Sequence, residues 1–228
     1  MTYIKQFFLI YSIQIIHCFS KYMVSKKILP FDFALNKVVW LLTLSDIFTW
    51  GLSLVINGFI GLYLAQRFGI DAIQMVGIGT AFFYGARVIT QIPIGIISDK
   101  IKKDKDDITF LFFGNLLMGV PYLFFPSISS PLMFYFLQFI IGFGGAMNLV
   151  NWRKLFAANL QSQKEGLSYA TYDSVMSFAM LIFSIFAGVL AGIGKDYFDL
   201  VMILVGLLTV SSGLWAILIF FDNKRKSM

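Results

Sequence analysis

From position 38 to 221 the chain alternates long apolar runs with short polar gaps, and the runs occupy residues 38–65, 73–98, 108–125, 132–152, 169–193 and 200–221. Each lies close to or above the roughly 20 residues a helix needs to cross a ~30 Å hydrocarbon layer. Lipid offers no hydrogen bonds to an open strand edge, and the two-residue alternation of a barrel strand is missing, so all six runs predict α-helices. The gaps are short, which makes sequential helices antiparallel neighbours in a compact up-and-down bundle. The expected fold is therefore all-α, a polytopic membrane bundle of six transmembrane helices over residues 38–221. Residues 1–37 form a cytoplasmic or interfacial segment ahead of it, and residues 222–228 a basic cytoplasmic tail.

Within the first segment, residues 7–19 are apolar apart from Gln14 and His17. That run is short for a span, and no small-residue cleavage site follows it. It reads either as an interfacial helix or as sequence upstream of a true start at Met23.

Composition supports lipid as the solvent. Hydrophobic residues make up 58% of the chain and charged residues 13%, with mean hydropathy +0.80, whereas a soluble domain carries about a quarter charged residues. The lone Cys18 and lone His17 exclude an intramolecular disulfide framework and a Cys/His metal cluster. No metal or other cofactor is expected. A Ser-His-Asp arrangement and a phosphate loop are also missing, and Asp106 and Asp107 sit in a charged turn, so no enzyme is expected.

The net charge of +6 belongs to the gaps, which argues for membrane orientation and against nucleic acid. With the N-terminus inside, only Arg67 and Lys195 fall in outer loops and Arg87 within a span, leaving fifteen of the 18 basic residues cytoplasmic. The expected location is the cell membrane, plasma or inner, with both termini in the cytoplasm.

The turn after the second run reads GIISDKIKKDKDD at residues 95–107. Six helices with Gly-x-x-x-Asp-Arg/Lys-x-Gly-Arg/Lys-Arg/Lys in that turn resemble the N-terminal half of a major facilitator superfamily transporter. Gly95, Asp99, Lys100 and Lys103 match the motif, while Lys102 stands where the family prefers Gly and Asp104 where it prefers a cation. Gly95 removes a side chain where another helix can approach. Asp99 can meet a helix N-terminus or a cation, and Lys100 and Lys103 can hold headgroups. The other reading of the turn is an ordinary charged loop.

Family members usually pair two such halves around the substrate path. The resemblance thus implies a half-size transporter subunit that moves a small solute by alternating access as a homodimer, with Gly95 and Asp99 facing the second copy. A non-transporting membrane scaffold or partner-binding subunit that keeps the fold is the alternative. Gln138, four residues before Gly142, occupies a place where the family often carries an Arg credited with proton coupling, and this departure leans toward the scaffold. Gly188 and Gly192 stand in the fifth run without the Gly-Pro signature of antiporters.

Charges inside the runs carry the remaining functional signal. Asp46 lies about 13 Å beyond Lys37 and Arg87 about 18 Å before Asp99, at 1.5 Å per residue, so the two can meet near mid-membrane. Each alone costs roughly 2.5–3.5 kcal/mol on an insertion scale. Thr80, Tyr84, Arg87 and Gln91 share one helical face, as do Asp46, Trp50, Ser53 and Asn57. Two such stripes suggest a shared cavity wall along a substrate path, or else a static ion pair locking two helices. Asn115 and Asn148 are expected to form interhelical hydrogen bonds, and Asp173 to start a helix.

Overall fold

The computed structural model describes residues 36–100 and 104–226. Residues 1–35, with His17 and Cys18, lie outside the described residues, as does Lys103. Eight α-helices follow in order: α1 Lys37–Asp46, α2 Leu52–Phe68, α3 Ala72–Lys100, α4 Asp104–Leu123, α5 Pro131–Ala158, α6 Glu165–Ala191, α7 Lys195–Ser211 and α8 Gly213–Lys226. A π-helical turn, Ile47–Gly51, joins α1 to α2, and a 3-10 turn, Gly69–Asp71, joins α2 to α3. Among the described residues every regular element is helical.

Among the described residues, five continuous segments are long and apolar enough to cross a membrane: Lys37–Lys100, Asp106–Ser127, Pro131–Ala158, Glu165–Ala191 and Lys195–Ile219. The first is 64 residues long and doubles back at Gly69, whose φ of +60° suits a residue without a side chain. The return brings Val76 opposite Gly61, where a Cβ would lie 3.8 Å from a Val76 methyl.

Local chemistry explains several ends. The Asn36 side chain accepts from the Val38 amide at 3.0 Å, and Ser130 accepts from Met133 at 3.3 Å ahead of a helix opened by Pro131. The last apolar run starts earlier than its hydropathy suggests, at Lys195, and is split at Ser212 into α7 and α8. There the Ser212 hydroxyl bonds its own Thr209 carbonyl at 2.5 Å, a local competitor to the helix ladder. Helix α8 also runs on to Lys226, so the basic residues 224–226 prolong a helix. Asp173 does not start α6, which begins two turns earlier at Glu165; it is an exposed residue within the helix.

Helix α5 is the centre of the packing, pressed between α3 and α4. Glycines allow it: a Cβ on Gly142 would run into the Phe83 carbonyl of α3, and one on Gly144 would lie 2.7 Å from Leu117 Cβ of α4. On its far side α4 meets α7 equally closely, a Gly119 Cβ falling 2.7 Å from the Val210 nitrogen. Helices in lipid gain little from hiding apolar surface from one another, so close backbone approach through small residues is what holds them. Helix α1 packs on α8, and α2 on α3 and α6.

Two large apolar clusters fill the bundle. Tyr63, Phe125, Phe134 and Phe198 form the aromatic heart of one, with the Tyr63 and Phe198 rings 4.9 Å apart. Leu42, Leu111, Trp152 and Phe156 lead the other, with the last two rings stacked at 4.6 Å. Helices α3 and α6 keep long apolar faces open, including Val88, Ile89 and Ile92 on α3 and Ile185, Phe186 and Val189 on α6.

Candidate functional site

Helices α2 to α5 enclose a partly open cavity of about 280 Å³. Its polar lining comes from Ser53 and Asn57 on α2, Thr80 and Tyr84 on α3, Tyr122 on α4 and Gln138 on α5; Phe83, Phe134 and Ile141 supply apolar wall. Ser53 and Tyr122 share a hydrogen bond of 2.9 Å, so part of the polar wall is already paired. Tyr84 is 55% exposed while Gln138 is buried to 7%. A few hydroxyl and amide groups converging on a space of this size match a small polar solute.

Of the residues singled out in the sequence, Asn57, Tyr84 and Gln138 meet in this lining; Trp50 and Arg87 do not line it, though Arg87 faces the rings of Phe83 and Tyr84, which do. The Arg87 guanidinium carbon lies 5.4 Å from the Trp50 ring, 5.7 Å from Phe83 and 5.8 Å from Tyr84. Its Nε is buried without a hydrogen-bond partner. Gln91 and Asp46 do not line the cavity.

Asp46 and Arg87 form no ion pair, which corrects the expectation of a direct contact. The Asp46 carboxylate is turned toward α6, where the Tyr172 hydroxyl donates to Oδ2 and Oδ1 has no partner. The cause lies in the backbone immediately after Asp46. A π-helical turn widens the spacing to i→i+5, so Asp46 leaves the face that a regular helix would give it with Ser53 and Asn57.

That turn also creates polar structure with no signature in the apolar runs. Thr209 donates to the Phe48 carbonyl at 2.9 Å, Thr49 shares a 2.8 Å bond with Ser212, and Ser45 donates to the Ser212 carbonyl at 3.2 Å. Asn115 reaches Ser45 at 3.2 Å and accepts from Asn148 at 2.6 Å, while the Trp50 indole donates to Asn148 at 2.7 Å. The interhelical hydrogen bonds expected of Asn115 and Asn148 are thus formed, partly with each other, in a chain of bonds across α1, α4, α5 and the junction of α7 and α8. It fixes the Trp50 ring beside Arg87.

At the end of the bundle that carries the 95–107 motif, Lys154 of α5 is the organising residue. Its ammonium donates to the Ser98 carbonyl at 2.8 Å and approaches the Asp107 carboxylate at 3.0 Å, and Ser98 donates to the same Asp107 oxygen at 2.8 Å. Asp99 lies 3.9 Å from Lys154 and its side chain is 80% exposed. Lys100 is exposed too, and a Cβ on Gly95 would meet only a Val150 methyl at 4.0 Å. The sequence motif pointed at Asp99, but the buried partner of the cation is Asp107. At the opposite end Arg67 pairs with Asp199, its guanidinium stacked 4.0 Å over the Tyr63 ring, and Tyr63 donates to Asp199 at 2.8 Å.

Comparison with known proteins agrees with this architecture. The family model described as Major Facilitator Superfamily matches residues 39–228. Over 173 residues the chain is 29% identical to the probable galactarate/D-glucarate transporter GarP of Escherichia coli strain K12, and equally to its counterpart from strain O157:H7. The match covers 73% of this chain and 38% of each relative, so the chain spans well under half the length of these transporters. No solved structure matches it at a significant level. An all-helical bundle with membrane-length segments, together with a family match over nearly all its described residues, makes this chain a member of the Major Facilitator Superfamily.

Proposed function

We propose that the chain is a transporter subunit that crosses the membrane six times and moves a small polar solute by alternating access against a second six-helix unit. A continuous helix of 64 residues would be about 96 Å long, three times the hydrocarbon thickness. The hairpin at Gly69 therefore divides Lys37–Lys100 into two crossings. The open apolar faces of α3 and α6 suit a second unit, and a second copy of the chain is its simplest source. Fifteen basic residues on one side place the termini in the cytoplasm in this reading.

The observation that carries the proposal is the cavity in which Asn57, Thr80, Tyr84 and Gln138 converge from three helices. The sugar diacids named for the Escherichia coli relative are the first solutes to test, being small and rich in hydroxyl groups. Gln138, neutral where an Arg is common, favours the second reading, a scaffold without transport. Uptake of labelled galactarate and of neutral sugars into liposomes holding the purified chain separates the two. A transporter gives uptake above protein-free vesicles, and Thr80→Trp, which fills the cavity from an exposed position, abolishes it. Uptake by no solute of the panel, with the protein folded, would leave the scaffold reading.

A further inference from the structure

We propose that Arg87 is the carboxylate anchor of the cavity, which makes the bound solute an organic anion carrying hydroxyl groups. A guanidinium keeps its charge at any accessible pH and inside a membrane needs a counter-charge. Among the described residues none supplies one: Asp46 is engaged with Tyr172, and the other carboxylates in ion pairs serve Arg67 and Lys154. The orphaned Nε shows that hydrogen bonding does not meet the need either.

The three rings around Arg87 give it a cradle without an anion. Trp50, Phe83 and Tyr84 face the guanidinium at 5.4–5.8 Å, and their quadrupoles stabilise a cation only partly. Phe83 and Tyr84 also line the cavity, so two of the three rings that face the half-buried guanidinium belong to its wall. A carboxylate there would accept from the planar fork of the guanidinium. Its hydroxyls would then meet Thr80, Tyr84, Asn57 and Gln138, which offer donors and acceptors but no charge. The planar fork matches the two oxygens of a carboxylate, and the uncharged hydroxyl and amide wall matches the hydroxyl groups beside it.

The inference rests on the transporter reading for the solute's passage, and its test is an equilibrium binding measurement that needs no transport. The full chain in detergent is titrated with galactarate, with the neutral polyol galactitol of the same carbon skeleton, and with inorganic phosphate. Trp50 emission reports binding, and Trp50→Phe identifies that signal. Galactarate is expected to bind at least about tenfold tighter than galactitol, the value of one charge-assisted hydrogen-bonded contact. Arg87→Gln should bring galactarate to the galactitol level, and Arg87→Lys should fall between.

Equal binding of galactarate and galactitol, tighter binding of phosphate, or an Arg87→Gln variant that binds galactarate like the parent overturns the anchor. So does failure of galactarate, gluconate and succinate all to bind the folded parent chain. Binding as expected without uptake in liposomes would instead sink the transporter reading and leave the anchor standing.

Discussion

The Lys154 ammonium stands 3.0 Å from the Asp107 carboxylate, and this contact ties the last turns of α5 to the first turn of α4. Ser98, at the end of α3, bonds both partners, so three helices meet on one charge pair. Asp107 is nearly buried, while Lys154 is about one-third exposed and so partly screened. Asp107→Asn or Lys154→Met should each destabilise the bundle by about 1–2 kcal/mol, the cost of leaving a charged group short of its partner. Thermal melting of the detergent-solubilised protein measures it, and the double variant should recover part of the loss. Additive losses would show that the pair is not coupled.

Close helix crossings give a second prediction. Gly142→Ala pushes a methyl into the Phe83 backbone and should cost about 1–3 kcal/mol by overpacking. Gly77→Ala on α3 has nothing within 4 Å of the new methyl and should change stability by less than about 0.5 kcal/mol. Equal melting shifts in the two variants would contradict the packing of α5 on α3.

Much of this was legible in the sequence, because lipid permits few solutions: apolar runs of span length had to be helices. Their order did not fix the neighbours, since α3 and α4, like α5 and α6, follow each other without packing closely, while α5 sits between α3 and α4 and α4 meets α7. Asn57 and Tyr84 were legible as members of two polar faces because polar side chains are costly in a membrane unless they face something wet or paired, whereas Gln138 drew notice only through the family resemblance. That Asn115 and Asn148 would each bond across helices followed from the same cost, but that they bond each other did not. The Asp46 register was not legible, since the π-helical turn at Ile47–Gly51 breaks the regular spacing on which a helical face is counted. Nor was the choice of Asp107 over Asp99 by Lys154, which depends on how three helix ends converge and not on the motif.

A double-mutant cycle tests that register. Asp46→Asn and Tyr172→Phe touch the same bond and should couple by about 1 kcal/mol in thermal stability. Asp46→Asn and Arg87→Gln, with no ion pair between them, should add within about 0.5 kcal/mol. Strong coupling in the second cycle would restore the direct charge pair.

The motif glycine supplies the last prediction. Gly95 has only the Val150 methyl within reach of a new Cβ, at 4.0 Å, so Gly95→Ala should leave the folded chain intact. Its neighbours Ile92, Ile96 and Ile97 are exposed and apolar, and Asp99 beyond them is open. A face that is smooth, apolar and charged at its end suits a second six-helix unit, and Gly95→Leu would place bulk on it. If that unit is a second copy, single cysteines placed near position 95 in a Cys18→Ser background should cross-link between copies in native membranes. Gly95→Leu should weaken the cross-link severalfold while the melting temperature holds. No cross-link at any probe length, or one that Gly95→Leu leaves unchanged, would rule out self-association through this face, leaving Gly95 as a residue of the intramolecular turn.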